Sequence, residues 1–132
     1  MAKILVVDDE QSVLTLLRYL LKENGYEICE AANGLAALKL FETQFFDLII
    51  TDVRMPCMDG MSFLREVKSL EPTTPVIILT AYDSVEVAVQ AVENGAAIYL
   101  TKPFKGDELL NIIKRVLATG KGQKTAAPLF TA

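Results

Sequence analysis

Histidine is absent from this chain, and cysteine occurs only twice. A serine or cysteine nucleophile therefore has no imidazole base within the chain, and no His/Cys cluster can hold zinc. Glycine is also sparse, and its seven residues form neither a Walker nor a dinucleotide-binding loop. Any chemistry that needs imidazole must take it from another molecule.

The two cysteines, Cys29 and Cys57, do not make a disulfide framework. Cys29 falls in a predicted strand, whereas Cys57 lies in a predicted loop. The N-terminal apolar run ends at Asp8, which argues against a secretory signal. No run reaches the roughly 18 apolar residues that a membrane span requires. We therefore expect a cytoplasmic protein without membrane association.

The composition indicates one acidic globular domain. The 132 residues are 52% hydrophobic and carry a net charge of −4, which suits a folded core and disfavours direct nucleic-acid binding through phosphates. The composition changes after Leu117 to a stretch rich in Gly, Lys and Ala. We expect a folded domain over 1–118 and a linker or disordered tail over 119–132.

Apolar runs alternate with helical periodicity five times along the chain. Strands are predicted at 4–7, 27–31, 47–51, 76–79 and 97–100. Helices are predicted after each strand, with Asn33 and Ser84 as N-caps of two of them. This alternation predicts an α/β fold, in which a doubly wound five-stranded parallel sheet carries helices on both faces.

Polar side chains follow four of these strands. They are Asp8 and Asp9, Asp52, Thr80, and Lys102. Ligands of open parallel sheets bind at the carboxyl ends of the strands. Each residue alone has an ordinary explanation as a cap, turn former or surface charge. Three carboxylates gathered on one edge would repel one another, so we expect Lys102 and a hard cation such as Mg²⁺ to balance them. An aspartate beside such groups can attack phosphorus.

The chain contains four motifs in this order: ILVVDDE, DLIITDVRMPCMDG, VIILTAY and GAAIYLTKPF. Together they resemble the receiver domain of bacterial two-component response regulators. The resemblance covers about residues 3–118 and is nearest to receivers of NtrC-type activators. It implies a flavodoxin-like fold with strand order 2-1-3-4-5. It also implies a switch that a sensor histidine kinase phosphorylates. The switch would act on an output domain or a downstream partner that controls transcription. The resemblance leaves open whether phosphorylation also produces a homodimer.

The resemblance also implies individual roles, which are as follows: Asp52 as phosphoacceptor, Asp9 as a direct Mg²⁺ ligand, Asp8 as a ligand acting mainly through water, the Arg54 carbonyl as a further ligand, Lys102 and Thr80 as phosphoryl contacts, and Tyr99 as the switch aromatic. The Lys102–Pro103 bond would be cis and aim the lysine inward. Cys57 and Ile98 depart from the family pattern, where glycine and an acidic residue are frequent.

Three other classes compete with this interpretation. An aspartyl-phosphate hydrolase would carry D-x-D, but Arg54 stands where the second aspartate belongs. A flavodoxin-like nucleotide or flavin binder is disfavoured by the acidic edge. An unphosphorylated docking module is disfavoured by the complete set of acids, hydroxyl and lysine. We expect no enzymatic turnover beyond the domain's own phosphotransfer and dephosphorylation.

Overall fold

The computed structural model describes residues 1–81, 84–120 and 129–130. Within this part, five strands alternate with five helices and a two-residue strand follows. The strands are β1 (Lys3–Val7), β2 (Glu27–Ala31), β3 (Leu48–Thr51), β4 (Val76–Thr80), β5 (Ile98–Thr101) and β6 (Leu129–Phe130). The helices are α1 (Gln11–Glu23), α2 (Gly34–Thr43), α3 (Gly60–Leu70), α4 (Val85–Glu93) and α5 (Gly106–Gly120).

The strands form one parallel sheet in the order β2-β1-β3-β4-β5-β6. This confirms the predicted doubly wound fold and the order of its five strands. β6 pairs with β5 and was not predicted, because two residues are too short for a periodic signal. α5 continues to Gly120, two residues past the expected boundary. Most of the expected tail, 121–128 and 131–132, lies outside the described residues.

Two apolar clusters cover the two faces of the sheet. On one face, alternate strand residues such as Leu5 and Ile49 pack with residues of α2, α3 and α4. On the other face, Ile4 and Ile50 pack with residues of α1 and α5. Successive side chains of a strand point to opposite faces, which is why each strand contributes to both clusters. β3 lies at the centre and is buried over its whole length.

Capping side chains fix where three helices begin. Asn33 accepts a hydrogen bond from the Ala36 N–H, and Ser84 accepts one from the Val87 N–H, as the sequence predicts. Asp59 caps α3 in the same way through the Ser62 N–H, and this cap was not predicted. Each cap satisfies a backbone donor that the first turn of a helix leaves unpaired. No helix in the described part of the chain is long and apolar enough to cross a bilayer.

Candidate phosphoacceptor site

The phosphoacceptor candidate Asp52 directly follows β3 and is only 8% exposed. Its N–H donates to the Val7 carbonyl of β1 at 3.0 Å, which continues the pairing of the two strands by one residue. Its carboxylate Oδ1 accepts the Val53 N–H at 2.6 Å. A central strand buried on both faces thus holds this carboxylate in place at the edge of the sheet.

Lys102 reaches the same place from the end of β5. Its ammonium Nζ lies 2.8 Å from Asp8 Oδ2, 3.1 Å from Asp52 Oδ2 and 3.5 Å from Glu10 Oε1. The Lys102 N–H donates to the Thr80 carbonyl at 2.8 Å, which ties the lysine backbone to the end of β4. The Lys102–Pro103 bond is cis, as the resemblance implies.

Burial sets the protonation equilibria of the Asp8–Lys102 pair. It raises the pKa of Asp8, because a carboxylate loses solvation there and the hydrogen bond from Lys102 only partly offsets that loss. Burial alone would lower the pKa of Lys102. The hydrogen bond to Asp8 and the negative charge of Asp52 outweigh this effect and leave the pKa of Lys102 raised. The lysine therefore remains a cation between these two acids.

The carboxylates that converge in the described part of the chain are those of Asp8, Glu10 and Asp52, each with one oxygen within 4.8 Å of the others. Glu10 was not predicted, although it follows the two aspartates directly. Asp9 is exposed and is not part of this group. Oxygen donors at this spacing suit a hard divalent cation, and the single lysine does not balance three acids.

Thr80 and Tyr99 lie deeper in the structure. Thr80 ends β4 and is fully buried. Tyr99 is 5% exposed and belongs to the apolar cluster on the α2, α3 and α4 face. The ring is therefore packed inward in this structure, rather than toward solvent. Arg54, whose carbonyl is a predicted ligand, and Cys57 are exposed in the loop between β3 and α3.

Residues 4–114 match the family model of the response regulator receiver domain. The chain belongs to this family. It is 45% identical over 129 residues to the transcriptional regulatory protein ZraR of Escherichia coli strain K12, covering 98% of this chain and 29% of that protein. The chain thus spans less than a third of that relative. The similarity to a transcriptional regulator agrees with the predicted resemblance to receivers of transcriptional activators.

Solved receiver structures share the fold. A CheY-like receiver domain protein from Methanospirillum hungatei JF-1 aligns with a TM-score of 0.87 and 34% identity, covering 89% of this chain and 94% of that chain. The response regulator protein TrrA from Thermotoga maritima, in complex with Mg²⁺ and BeF, aligns with a TM-score of 0.81 and 38% identity. That alignment covers 88% of this chain and 99% of that chain.

Proposed function

We propose that this domain is a phosphorylation-controlled switch in which Asp52 accepts a phosphoryl group from a phosphohistidine of a sensor histidine kinase. The observation that carries the proposal is the buried Asp52 carboxylate, held 3.1 Å from the Lys102 ammonium among converging acids at the edge of the sheet. An Asp52 oxygen attacks phosphorus and forms a P–O bond. The P–N bond to the donor imidazole breaks, and the imidazole leaves with the electron pair and takes a proton from water.

Mg²⁺ fits the donor set of this site, which consists of carboxylate and carbonyl oxygens. The proposed ligands are Asp9, Asp52 and the Arg54 carbonyl, with Asp8 acting through water. Asp8 suits this indirect role, because its Oδ2 accepts the hydrogen bond from Lys102 at 2.8 Å. When bound, Mg²⁺ supplies positive charge that offsets the repulsion between the acids and an incoming phosphoryl group. The TrrA complex with Mg²⁺ and BeF supports this proposal.

The remaining residues hold and report the phosphoryl group. The Lys102 ammonium would pair with a phosphoryl oxygen, and the Thr80 hydroxyl would donate a hydrogen bond to another. Tyr99 would be the aromatic whose rotamer follows Thr80. The Lys102 ammonium already pairs with the Asp52 carboxylate. It need therefore only shift from an Asp52 oxygen to an oxygen of the bound phosphoryl group.

The domain would act on other molecules by contact and not by catalysis. Arg54 offers no general acid where a hydrolase would carry an aspartate, so turnover of external phosphate esters is not part of the proposal. The switch would control an output domain or a downstream partner, with transcription as the proposed output. A phosphorylation-dependent homodimer would be one form of that contact. The proposal places the domain in the cytoplasm, without direct binding of nucleic acid.

Intact mass spectrometry with acetyl phosphate and Mg²⁺ tests the phosphoacceptor. The wild-type protein should gain one labile phosphoryl group, whereas Asp52→Asn should gain none because an amide oxygen is a much weaker nucleophile. EDTA should abolish the modification of the wild type. The matched control is Asp47→Asn, which changes an aspartate at the opposite end of β3. Equal modification of wild type and Asp52→Asn would exclude Asp52.

Mg²⁺ titration followed by NMR tests the proposed ligands. Asp9→Asn should weaken Mg²⁺ binding more than Asp8→Asn, because a direct ligand is lost instead of one acting through water. Loss of a residue that only hydrogen-bonds a metal ligand commonly lowers metal affinity by about 10-fold or more. Loss of the direct ligand Asp9 should therefore lower Mg²⁺ affinity by at least about 10-fold. Glu10→Gln is the third variant, since Glu10 belongs to the converging group. Unchanged affinity in Asp9→Asn would remove Asp9 from the ligand set.

A further inference from the structure

Gly60, the first residue of α3, lies against the peptide group of Asp52. A Cβ built on Gly60 would lie 1.9 Å from the Asp52 carbonyl oxygen and 2.8 Å from the Asp52 carbonyl carbon. Side-chain Cβ atoms essentially never approach closer than 3.0 Å, so relief requires a displacement of at least about 1.1 Å. Because the opposing atoms belong to the backbone, no rotamer change can provide it.

Hydrogen bonds join Gly60 to the same stretch of chain. Its N–H donates to the Val53 carbonyl at 2.7 Å. The Asp52 N–H donates to the Val7 carbonyl at 3.0 Å, and the Asp52 carbonyl accepts the Thr51 hydroxyl at 3.0 Å. β1 and Thr51 therefore hold the backbone of Asp52, and the start of α3 holds Val53, the residue that follows it.

The contact with Gly60 also bears on the carboxylate itself. The Val53 N–H, which donates to Asp52 Oδ1 at 2.6 Å, belongs to the peptide group that Gly60 touches. A shift of this peptide group would move both the Asp52 backbone and the donor that orients its side chain. The distance from Asp52 Oδ2 to the Lys102 ammonium, 3.1 Å in this structure, would then change.

We propose that Gly60 is a positioning residue that sets the place of the Asp52 carboxylate for phosphoryl transfer. This inference rests on the proposed function of Asp52. Only a hydrogen atom fits between the start of α3 and the Asp52 peptide group. The absence of a side chain at Gly60 therefore lets the helix approach the phosphoacceptor this closely. Displacement of a reacting group by about 1 Å can lower a rate by about 100-fold.

Gly34 and Gly106 are also first residues of helices, and Gly106 provides the matched control. A Cβ on Gly106 would meet the Leu20 side chain at 3.2 Å, and this flexible methyl group can move. A Cβ on Gly34 would meet the Met58 carbonyl at 2.5 Å, which is backbone but six residues away from the phosphoacceptor. Gly106→Ala thus repeats the chemical change at the same helix position without the clash at Asp52.

The experiment measures phosphorylation by acetyl phosphate as a function of its concentration at saturating Mg²⁺. Gly60→Ala should lower the maximal rate by roughly 10- to 100-fold. Gly106→Ala should stay within about twofold of wild type. Gly25→Ala controls for lost stability, since Gly25 has φ of 85° and nothing within 4 Å of a built Cβ. It should destabilise through backbone strain alone and keep its phosphorylation rate.

A maximal rate in Gly60→Ala equal to that of Gly106→Ala would overturn the positioning role. So would an equal loss of rate in Gly25→Ala at matched stability, since that would assign the loss to stability. A wild-type protein that acetyl phosphate does not phosphorylate would instead refute the proposed function of Asp52.

Amide hydrogen exchange on the wild-type protein tests the contact without any variant or activity. The Gly60 N–H should exchange as slowly as the amides that exchange only by global unfolding, because it is hydrogen-bonded to the Val53 carbonyl. Fast exchange of this amide in a stable protein would show that the start of α3 is not held to Val53, the residue next to Asp52. That result would overturn the inference even if Gly60→Ala fails to fold.

Discussion

At the scale of single residues, the loop between β3 and α3 combines tight packing with backbone strain. Cys57 has φ of 70°, the left-handed region in which glycine is favoured. The neighbouring Met58 N–H donates to the Pro56 carbonyl at 2.8 Å, and the Met58 carbonyl accepts the Gly34 N–H at 3.2 Å. A hydrogen bond therefore spans the strained residue, and a second one ties the following residue to the start of α2.

Cys57→Gly should stabilise the domain by about 0.5–1 kcal/mol. Relief of the left-handed strain exceeds the larger conformational entropy that glycine gives to the unfolded chain. The midpoint of urea denaturation checks this prediction. Cys57→Ala is the control, since it removes the thiol and keeps the strained backbone, and it should change stability by less than about 0.5 kcal/mol. A Cys57→Gly variant less stable than wild type would show that the loop does not store this strain.

At the scale of secondary-structure elements, an ion pair joins α1 to β2. The Arg18 guanidinium donates two hydrogen bonds to the Glu30 carboxylate, one of them 2.8 Å from Nη2 to Oε1. The hydrogen bond from Arg18 lowers the pKa of Glu30. Burial opposes this effect, and the charges of Arg18 and then Lys22 add to it. A lowered folded-state pKa stabilises the fold above the pKa of the unfolded chain. That contribution is lost as the pH falls through the folded-state value.

Arg18→Gln should raise the pKa of Glu30 toward its ordinary value and remove this part of the acid dependence of stability. Titration of the Glu30 side-chain carboxyl by ¹³C NMR measures the shift. Lys22→Gln is the matched control and should raise the pKa of Glu30 less, because Lys22 acts only by charge at a distance. An Arg18→Gln variant that leaves the Glu30 titration unchanged would contradict the prediction.

At the scale of the whole molecule, α4 is the helix with the fewest buried residues in the described part of the chain. Ala91 is its one fully buried residue, while Val85 and Val89 are 80% and 47% exposed. Tyr99 belongs to the same apolar cluster as Ala91, so a change at the end of β5 would reach this helix through packing. Small side chains make shallow contacts, which allows α4 to shift at modest cost.

Thr80→Ala should separate phosphoryl binding from the response of α4. We expect the variant to bind beryllofluoride and Mg²⁺, because Asp52 and Lys102 remain. It should lose much of the change in amide chemical shifts across residues 84–100, because the missing hydroxyl can no longer favour the active state.

Thr101→Ala is the control for this experiment, since Thr101 pairs with Thr80 across β4 and β5 but is not a proposed phosphoryl contact. It should keep the wild-type response to beryllofluoride. The full response in Thr80→Ala would show that the coupling does not pass through Thr80.

Local patterns in the sequence predicted the order and type of the ten main elements. Apolar periodicity is a local property, so it predicted β2 at its observed bounds. The capping residues Asn33 and Ser84 were also predicted. It also predicted that Asp52 and Lys102 meet, because the carboxyl ends of parallel strands share one edge of the sheet.

Which of the two neighbouring carboxylates turns inward depends on tertiary packing. Asp8 and Asp9 carry the same side chain at adjacent positions, yet Asp8 is buried against Lys102 and Asp9 is exposed. The difference arises from side-chain direction and from a lysine 94 positions away, which no local pattern contains. The contact between Gly60 and the Asp52 peptide is likewise invisible to periodicity, because it depends on how closely α3 approaches β3.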